Sequence, residues 1–226
     1  MTSADFEDVL MKFTLIYDGP LPPGDKKRAI YASRIRNALH AQLRDLWDNH
    51  ILMRQLTHEA RVYKNRTSTS LHMLPTLLSN YDGVPTPAHQ GQIDLTEPLK
   101  MSGVGSFLPI VRQSLHLACG IDITFLRHEE PWRLFEQSGD LDNRLKCFFD
   151  ALAMPADLEQ AKAGEDPCAD PLCCLLENDR WISDFSLRSG RLLGKSEKNK
   201  HDVRIQADVT IKVLRVFGGN LGLVGG

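Results

Sequence analysis

Gly139-Asp140-Leu141-Asp142-Asn143-Arg144-Leu145-Lys146 runs directly into Cys147-Phe148-Phe149-Asp150-Ala151-Leu152-Ala153, and together they set the architecture to expect. Leu145, Phe148, Phe149 and Leu152 recur at i, i+3, i+4 and i+7, the stripe of an amphipathic helix over about 142–153. Asp142 and Lys146 are one turn apart on the flank of that stripe, and Asp140 can fold back toward the helix N-terminus. Upstream, Ile121, Ile123 and Phe125 alternate with Asp122, Thr124 and Leu126 as in a half-buried strand. Downstream, Cys173 to Leu176 is a short apolar run ending in Glu177, Asn178 and Asp179. If those two strands are sheet neighbours, the acidic groups meet at one edge. Carboxylates crowded in this way repel, and a divalent cation neutralises them. The same residues also read as helix capping plus an ordinary i,i+4 ion pair.

The longer pattern separates these readings. Asp140-x-Asp142-Asn143-x-x-Lys146, Asp150-Ala151-Leu152, and then Asn178-Asp179 with Ile182 and Asp184 behind it, resembles the core of the RusA-type Holliday-junction resolvases. The resemblance covers roughly residues 106–216. It implies an α/β (α+β) fold with a small mixed sheet packed by helices, a homodimer, and nicking of branched DNA that depends on Mg²⁺, with Mn²⁺ able to substitute. Position by position, Asp140, Asp142 and Asp179 match the family's metal-binding carboxylates and Lys146 matches its catalytic lysine. Three features depart from the pattern. Asn178 stands where the first Asp of a tandem pair is usual, the segment 153–172 is longer than the usual turn, and the chain exceeds a minimal member of the family. Two other readings stay open: a binding module of the same fold without catalysis, and a nuclease acting on flaps, forks or RNA-containing structures.

Composition fits one soluble domain spanning 1–226: 42% of the 226 residues are hydrophobic and 25% charged, enough for one well-buried core. No run of eighteen or more apolar residues occurs, and Met1 to Asp8 lacks a basic-then-apolar signal pattern. The expectation is a cytoplasmic protein with no membrane contact; the resemblance adds a bacterial or phage origin and association with the nucleoid. Five cysteines without framework spacing suit free thiols. Cys168, Cys173 and Cys174 with His201 contain no C-x-x-C pair, and a partly buried strand accounts for Cys173 and Cys174 better than zinc does. Gly103-Val104-Gly105 lacks the lysine and helix of a phosphate loop, so no nucleotide cofactor is expected.

A net charge of −2 opposes a DNA-binding role, because phosphate binding is driven by Lys and Arg releasing counterions. The charge is unevenly spread, however. Arg188, Arg191, Lys195, Lys198, Lys200 and Arg204 face only Glu197 and Asp202 between positions 188 and 204. The flanking segments, a strand from Trp181 to Arg188 and the strict alternation of Val203, Ile205, Ala207, Val209, Ile211 and Val213, read as a hairpin with a long basic loop. Arg188, Arg191, Lys195, Lys198 and Lys200 are the expected DNA contacts, with a merely solvated loop as the alternative.

The amino-terminal half is less explicit. Lys12 to Tyr17 reads as a strand broken by Gly19-Pro20-Leu21-Pro22-Pro23-Gly24, and a helix with Tyr31, Ile35, Ala38, Leu39, Leu46 and Trp47 near one face begins close to Asp25. The segment 59–105 reads as an irregular elaboration of the core, with Arg61, Lys64 and Arg66 as a basic patch. The glycine-rich tail, 218–226, reads as flexible. A dimer interface is sought at the apolar stretch Leu71 to Leu78 or at an edge strand.

Overall fold

Alternation at period two places one row of side chains on each face of a strand, so a strand apolar at every second position must cover a core. The computed structural model describes residues 9–24, 27–63, 92–128, 140–194, 201–216 and 218–223. The chain runs β1 (Val9–Pro20), α1 (Arg28–Asn49), α2 (Ile51–Glu59), β2 (Arg61–Tyr63), β3 (Gln92–Asp94), β4 (Leu99–Met101), β5 (Gly105–Val111), β6 (Leu117–Arg127), α3 (Asp140–Leu152), α4 (Leu158–Ala163), β7 (Leu172–Leu176), β8 (Ile182–Arg191) and β9 (Asp202–Val213). The expected mixed α/β class is what the structure has.

The larger sheet has the order β1-β9-β6-β8. β9 pairs antiparallel with both β1 and β6, while β8 pairs parallel with β6. Val203, Ile205, Ala207, Val209 and Ile211 of β9 are buried beside Ile121, Ile123 and Phe125 of β6. On α1, Ile35, Leu39, Leu43 and Trp47 are buried at intervals of four, and α3 adds Phe148, Ala151 and Leu152 to the same core. A second sheet, β4-β5-β7, combines an antiparallel and a parallel pair, and β2 and β3 form a short ribbon.

Three expectations are corrected. Strands β8 and β9 are not a hairpin, because β6 lies between them and hydrogen-bonds to both. The strand containing Ile121 and the run Cys173–Leu176 are not sheet neighbours: β7 pairs with β5 in the other sheet. Of the tail, residues 218–223 are described and are docked, with Asn220 fully buried and donating to the carbonyls of Leu115 at 2.7 Å and Arg215 at 2.8 Å, and Leu223 in the core. The core also reaches beyond 106–216, since β1 pairs with β9 along most of its length and α1 lies across the main cluster. The stretch Leu71 to Leu78 lies outside the described residues.

One buried cation ties the helices together. The Arg36 guanidinium, 6% exposed, donates from Nε to the Ala153 carbonyl at 2.6 Å and from Nη2 to the Asp150 carbonyl at 2.5 Å, so α1 caps the C-terminal end of α3. Replacing it by Met keeps the apolar stem and leaves those acceptors without their donor. Arg36→Met is expected to lower stability by about 2–3 kcal/mol in urea unfolding, the scale of lost hydrogen bonds from a charged donor. An unchanged midpoint would show that water replaces the guanidinium.

Candidate active site

Helix α3 begins at Asp140, and its residues fall into a buried row and a flank. The flank runs Asp142, Lys146, Asp150 at intervals of four. Lys146 Nζ lies 2.7 Å from Asp142 Oδ2, with both side chains more than half exposed. At that exposure the pair stabilises the helix little, so its stability role is small. Arg144, on the buried side, donates to the Leu21 carbonyl and anchors the first turn against the chain leaving β1.

Asp150 is in a different environment. Its Oδ2 lies 3.1 Å from Arg28 Nε of α1 but has no well-formed hydrogen bond. Burial raises its pKa above the ordinary aspartate value; Arg28 pulls it down, and the negative charge of Asp179 pushes it up again. The turn after β7 that bears Asp179 contacts α3, which is how that charge comes near Asp150. Sequence reasoning assigns Asp150 no role of its own, although the spacing Asp142-x-x-x-Lys146-x-x-x-Asp150 already places it in the row.

Asp179 opens a 3-10 turn, Asp179–Trp181, that follows β7. Asn178 Oδ1 accepts from the Arg180 N–H at 3.0 Å and caps the turn. Glu177 turns the other way, accepting from the Gln113 N–H at 2.8 Å. Arg180 reaches Gln113 Oε1 at 3.0 Å and lies over the Trp181 ring. Asp179 is exposed at the start of the turn. The backbone route that brings it to α3 is the contact between Ala153 and Leu176, with the Met154 N–H donating to the Leu176 carbonyl at 2.9 Å.

The structure therefore places Asp142 and Lys146 together and brings Asp179 beside the same helix next to Asp150. Asp140 starts α3, and its side chain lies outside the described residues. As oxygen donors, Asp142 and Asp179 suit a hard cation such as Mg²⁺, and their exposure leaves room for its waters. Among the described residues, no three His, Cys, Asp or Glu side chains are gathered as a bound metal needs. Arg188 and Arg191 lie on β8, while Lys195, Lys198 and Lys200 lie outside the described residues. Where β6 and β8 end and that basic segment departs, Asp18, His128, Leu192, Asp202 and Arg204 line a cavity of about 650 Å³, and Arg204 clamps Asp18 through contacts of 2.7 and 3.0 Å.

Four of the five cysteines are structural in environment, and Cys168 is exposed. Cys119, Cys147, Cys173 and Cys174 are buried free thiols, and burial pushes the Cys174 thiol up to about 12. No helix among the described residues is long and apolar enough to cross a membrane. No family model, curated protein or solved structure matches the chain.

The raised pKa of Asp150 carries a signed consequence. Between the ordinary aspartate value, about 3.9, and the raised folded value, the folded state binds more protons than the unfolded one. Stability contributed by this group therefore falls as pH rises through that window. Asp150→Asn is expected to gain stability relative to the wild type as pH rises from about 3 to 7, with the difference complete above the folded pKa. Paired urea titrations across that range measure it. A difference of opposite sign would mean that the Arg28 ion pair outweighs desolvation.

Proposed function

We propose that the chain is a metal-dependent, structure-specific endodeoxyribonuclease that nicks branched DNA such as Holliday junctions. The observation that carries the reading is the α3 flank, where an exposed lysine is held by Asp142 and the turn bearing Asp179 adjoins the same helix. The motif resemblance to RusA-type resolvases supports it, as do the basic residues Arg188 and Arg191 on β8. Asp140, Asp142 and Asp179 are the residues that would hold Mg²⁺, or Mn²⁺ in its place. Bound there, the ion would supply an activated water and neutralise charge on the leaving oxygen of the scissile phosphodiester.

Within this reading the protein's own groups divide the work. Asp142 draws the Lys146 ammonium back along the helix toward its N-terminus and fixes it there. Lys146 then serves as a point charge for the non-bridging phosphate oxygens as negative charge develops on them. Arg188, Arg191, Lys195, Lys198 and Lys200 supply contacts to the DNA backbone, and Arg191 stands next to the cavity where the segment leaves the sheet. A homodimer supplies two such sites, because resolving a four-way junction takes two symmetric nicks. The setting is the cytoplasm, with the branched DNA of a bacterial or phage nucleoid as the substrate.

A second reading, a nucleic-acid-binding member of the fold without catalysis, rests on the Asp142–Lys146 contact, which an ordinary exposed i,i+4 ion pair also accounts for. Labelled four-way junction, fork and linear duplex, incubated with purified protein with and without Mg²⁺, separate the two. Asp140→Asn, Asp142→Asn and Asp179→Asn should each abolish Mg²⁺-dependent cleavage while leaving junction binding intact or tighter, since each removes a charge that repels phosphate. Any of the three that cuts at the wild-type rate is not a ligand. Binding of the junction by the wild type, with no cleavage in Mg²⁺ or Mn²⁺, would establish the binding module instead.

Lys146 has its own test. Lys146→Ala is expected to slow single-turnover cleavage by roughly two to three orders of magnitude, the scale for removing one preorganised electrostatic donor. Because the Asp142 pair is exposed, the melting temperature should stay within about a degree or two of the wild type. A variant that cleaves normally but melts early would reduce the pair to a helix brace.

A further inference from the structure

The two edges of the four-stranded sheet are finished differently. At β1, the Gln42 side chain from α1 accepts from the Ile16 N–H at 3.0 Å and donates to the Ile16 carbonyl at 2.7 Å. A helix side chain thus occupies the backbone groups that another strand would need there. At the opposite edge β8 pairs with β6 alone, and no strand pairs with its outer side among the described residues. None of its ten residues is buried, and Phe185 is 53% exposed. An open edge of that length with an exposed phenylalanine is a template for another strand.

The sequence of the edge says which strand fits. A two-fold axis perpendicular to a sheet keeps each face on its own side, so residues directly opposite each other across it must share a face. With Ser186 on such an axis, Ser183-Asp184-Phe185-Ser186-Leu187-Arg188-Ser189 is complementary to itself. Asp184 stands opposite Arg188 twice on the open face. Phe185 stands opposite Leu187 twice on the helix-covered face, where Phe185 already meets the Phe149 ring of α3 edge-on at 5.3 Å. Moving the axis to Leu187 sets Asp184 against Gly190, and moving it to Phe185 sets Asp184 against Ser186, so the ion pairs select the register. Arg188 is exposed and makes no ion pair among the described residues. The Asp184 carboxylate, 60% exposed, holds Lys212 at 3.0 Å and keeps lone pairs for a second cation.

We propose that β8 is a homodimerisation edge, at which two copies of the chain pair antiparallel about Ser186 and join their sheets into one. The proposal locates the dimer that the junction-cleaving reading calls for, and it rests on that reading only for its purpose. Arg188 is thereby assigned to a partner carboxylate, leaving phosphate contact to Arg191 and the three lysines. Because the axis preserves faces, both α3 helices lie on the same side of the joined sheet, and so do both Asp142–Lys146 pairs.

Cross-linking in a Cys168→Ser background, which removes the exposed thiol, tests the register directly. Directly opposed residues have Cα atoms about 4.5–5.5 Å apart, inside the range a disulfide spans. Ser186→Cys should therefore form a covalent dimer under copper–phenanthroline. Ser183→Cys and Ser189→Cys should each fail alone and cross-link when mixed. Light scattering at micromolar concentration should give a dimer for the wild type, and Arg188→Glu, which faces Asp184 with a like charge, should weaken it at least about tenfold. A wild-type monomer overturns the proposal. So does a dimer in which Ser186→Cys does not cross-link and Arg188→Glu has no effect, an outcome that leaves the nuclease reading standing with its dimer elsewhere. A cross-linked dimer that cleaves no junction in Mg²⁺ upholds the edge and rejects the nuclease.

Discussion

The apolar face shared by β1, β9 and β6 is the constraint from which the other positions follow. Met11, Leu15 and Tyr17, then Val203, Ile205, Ala207, Val209 and Ile211, then Ile121, Ile123 and Phe125 all lie on one side of the sheet and are buried. Each large side chain among them contributes roughly 1.5–3 kcal/mol by leaving water, so the face must be covered along its whole length. Helix α1 covers one part with Ile35, Leu39, Leu43 and Trp47, and α3 another with Phe148, Ala151 and Leu152. Once α3 is laid down by its apolar row, its flank cannot choose its surroundings. Asp142 and Lys146 face water, whereas Asp150, two turns further on, is turned under Arg28 toward the bend that follows β7.

The opposite face of that sheet is polar, and its pairings work across the middle strand. Asp184 on β8 reaches Lys212 on β9 by passing over Gly120 of β6, where an added Cβ would stand 2.7 Å from the Asp184 carboxylate. A side chain at position 120 would displace the Asp184 carboxylate and disturb its contact with Lys212. Ser186 likewise donates to Asp122, and Thr14 donates to Asp208 at 2.6 Å, which lets two aspartates sit directly opposite on β6 and β9. Like charges in that position repel, and the hydroxyl donors offset part of the cost.

What the sequence makes legible is local. The row Leu145, Phe148, Phe149, Leu152 specifies α3 almost to the residue, and the alternation from Val203 to Val213 specifies β9, because both depend only on periodicity. Pairing partners are a different kind of information. Strands β8 and β9 are adjacent in the chain and each is recognisable, yet β6 separates them, since a parallel β6–β8 pair buries the apolar row of β6 from both sides. Nothing within either strand records that third strand. The same holds for Cys173–Leu176, which reads correctly as a buried strand but pairs with β5. Asp150 is legible in its spacing and illegible in its environment, because its partner Arg28 is separated from it by more than a hundred residues. Asn220 and Leu223 are misread for a related reason: glycine-rich composition signals freedom, and two anchoring side chains among the glycines remove it.

Asn178 illustrates how a departure from a motif can be weighed physically. In the turn after β7 its side-chain oxygen caps the Arg180 N–H, a task that aspartate and asparagine perform about equally well. An amide in place of a carboxylate at this position therefore retains the local backbone geometry and subtracts only charge. The charge removed is one that would have repelled both Asp179 and Asp150, whose carboxyl is already pushed toward its neutral form by burial and by Asp179. With a cation bound, an extra carboxylate is an asset; without one, in a site where Asp150 is desolvated, it is a cost. If the site takes the cation proposed for it, the asparagine suits a centre that would bind its ion through fewer charges and hold together better when the ion is away. On the nuclease reading that describes a weaker, more exchangeable Mg²⁺ site, with Asp140 and Asp142 at the start of α3 carrying a larger share of the binding.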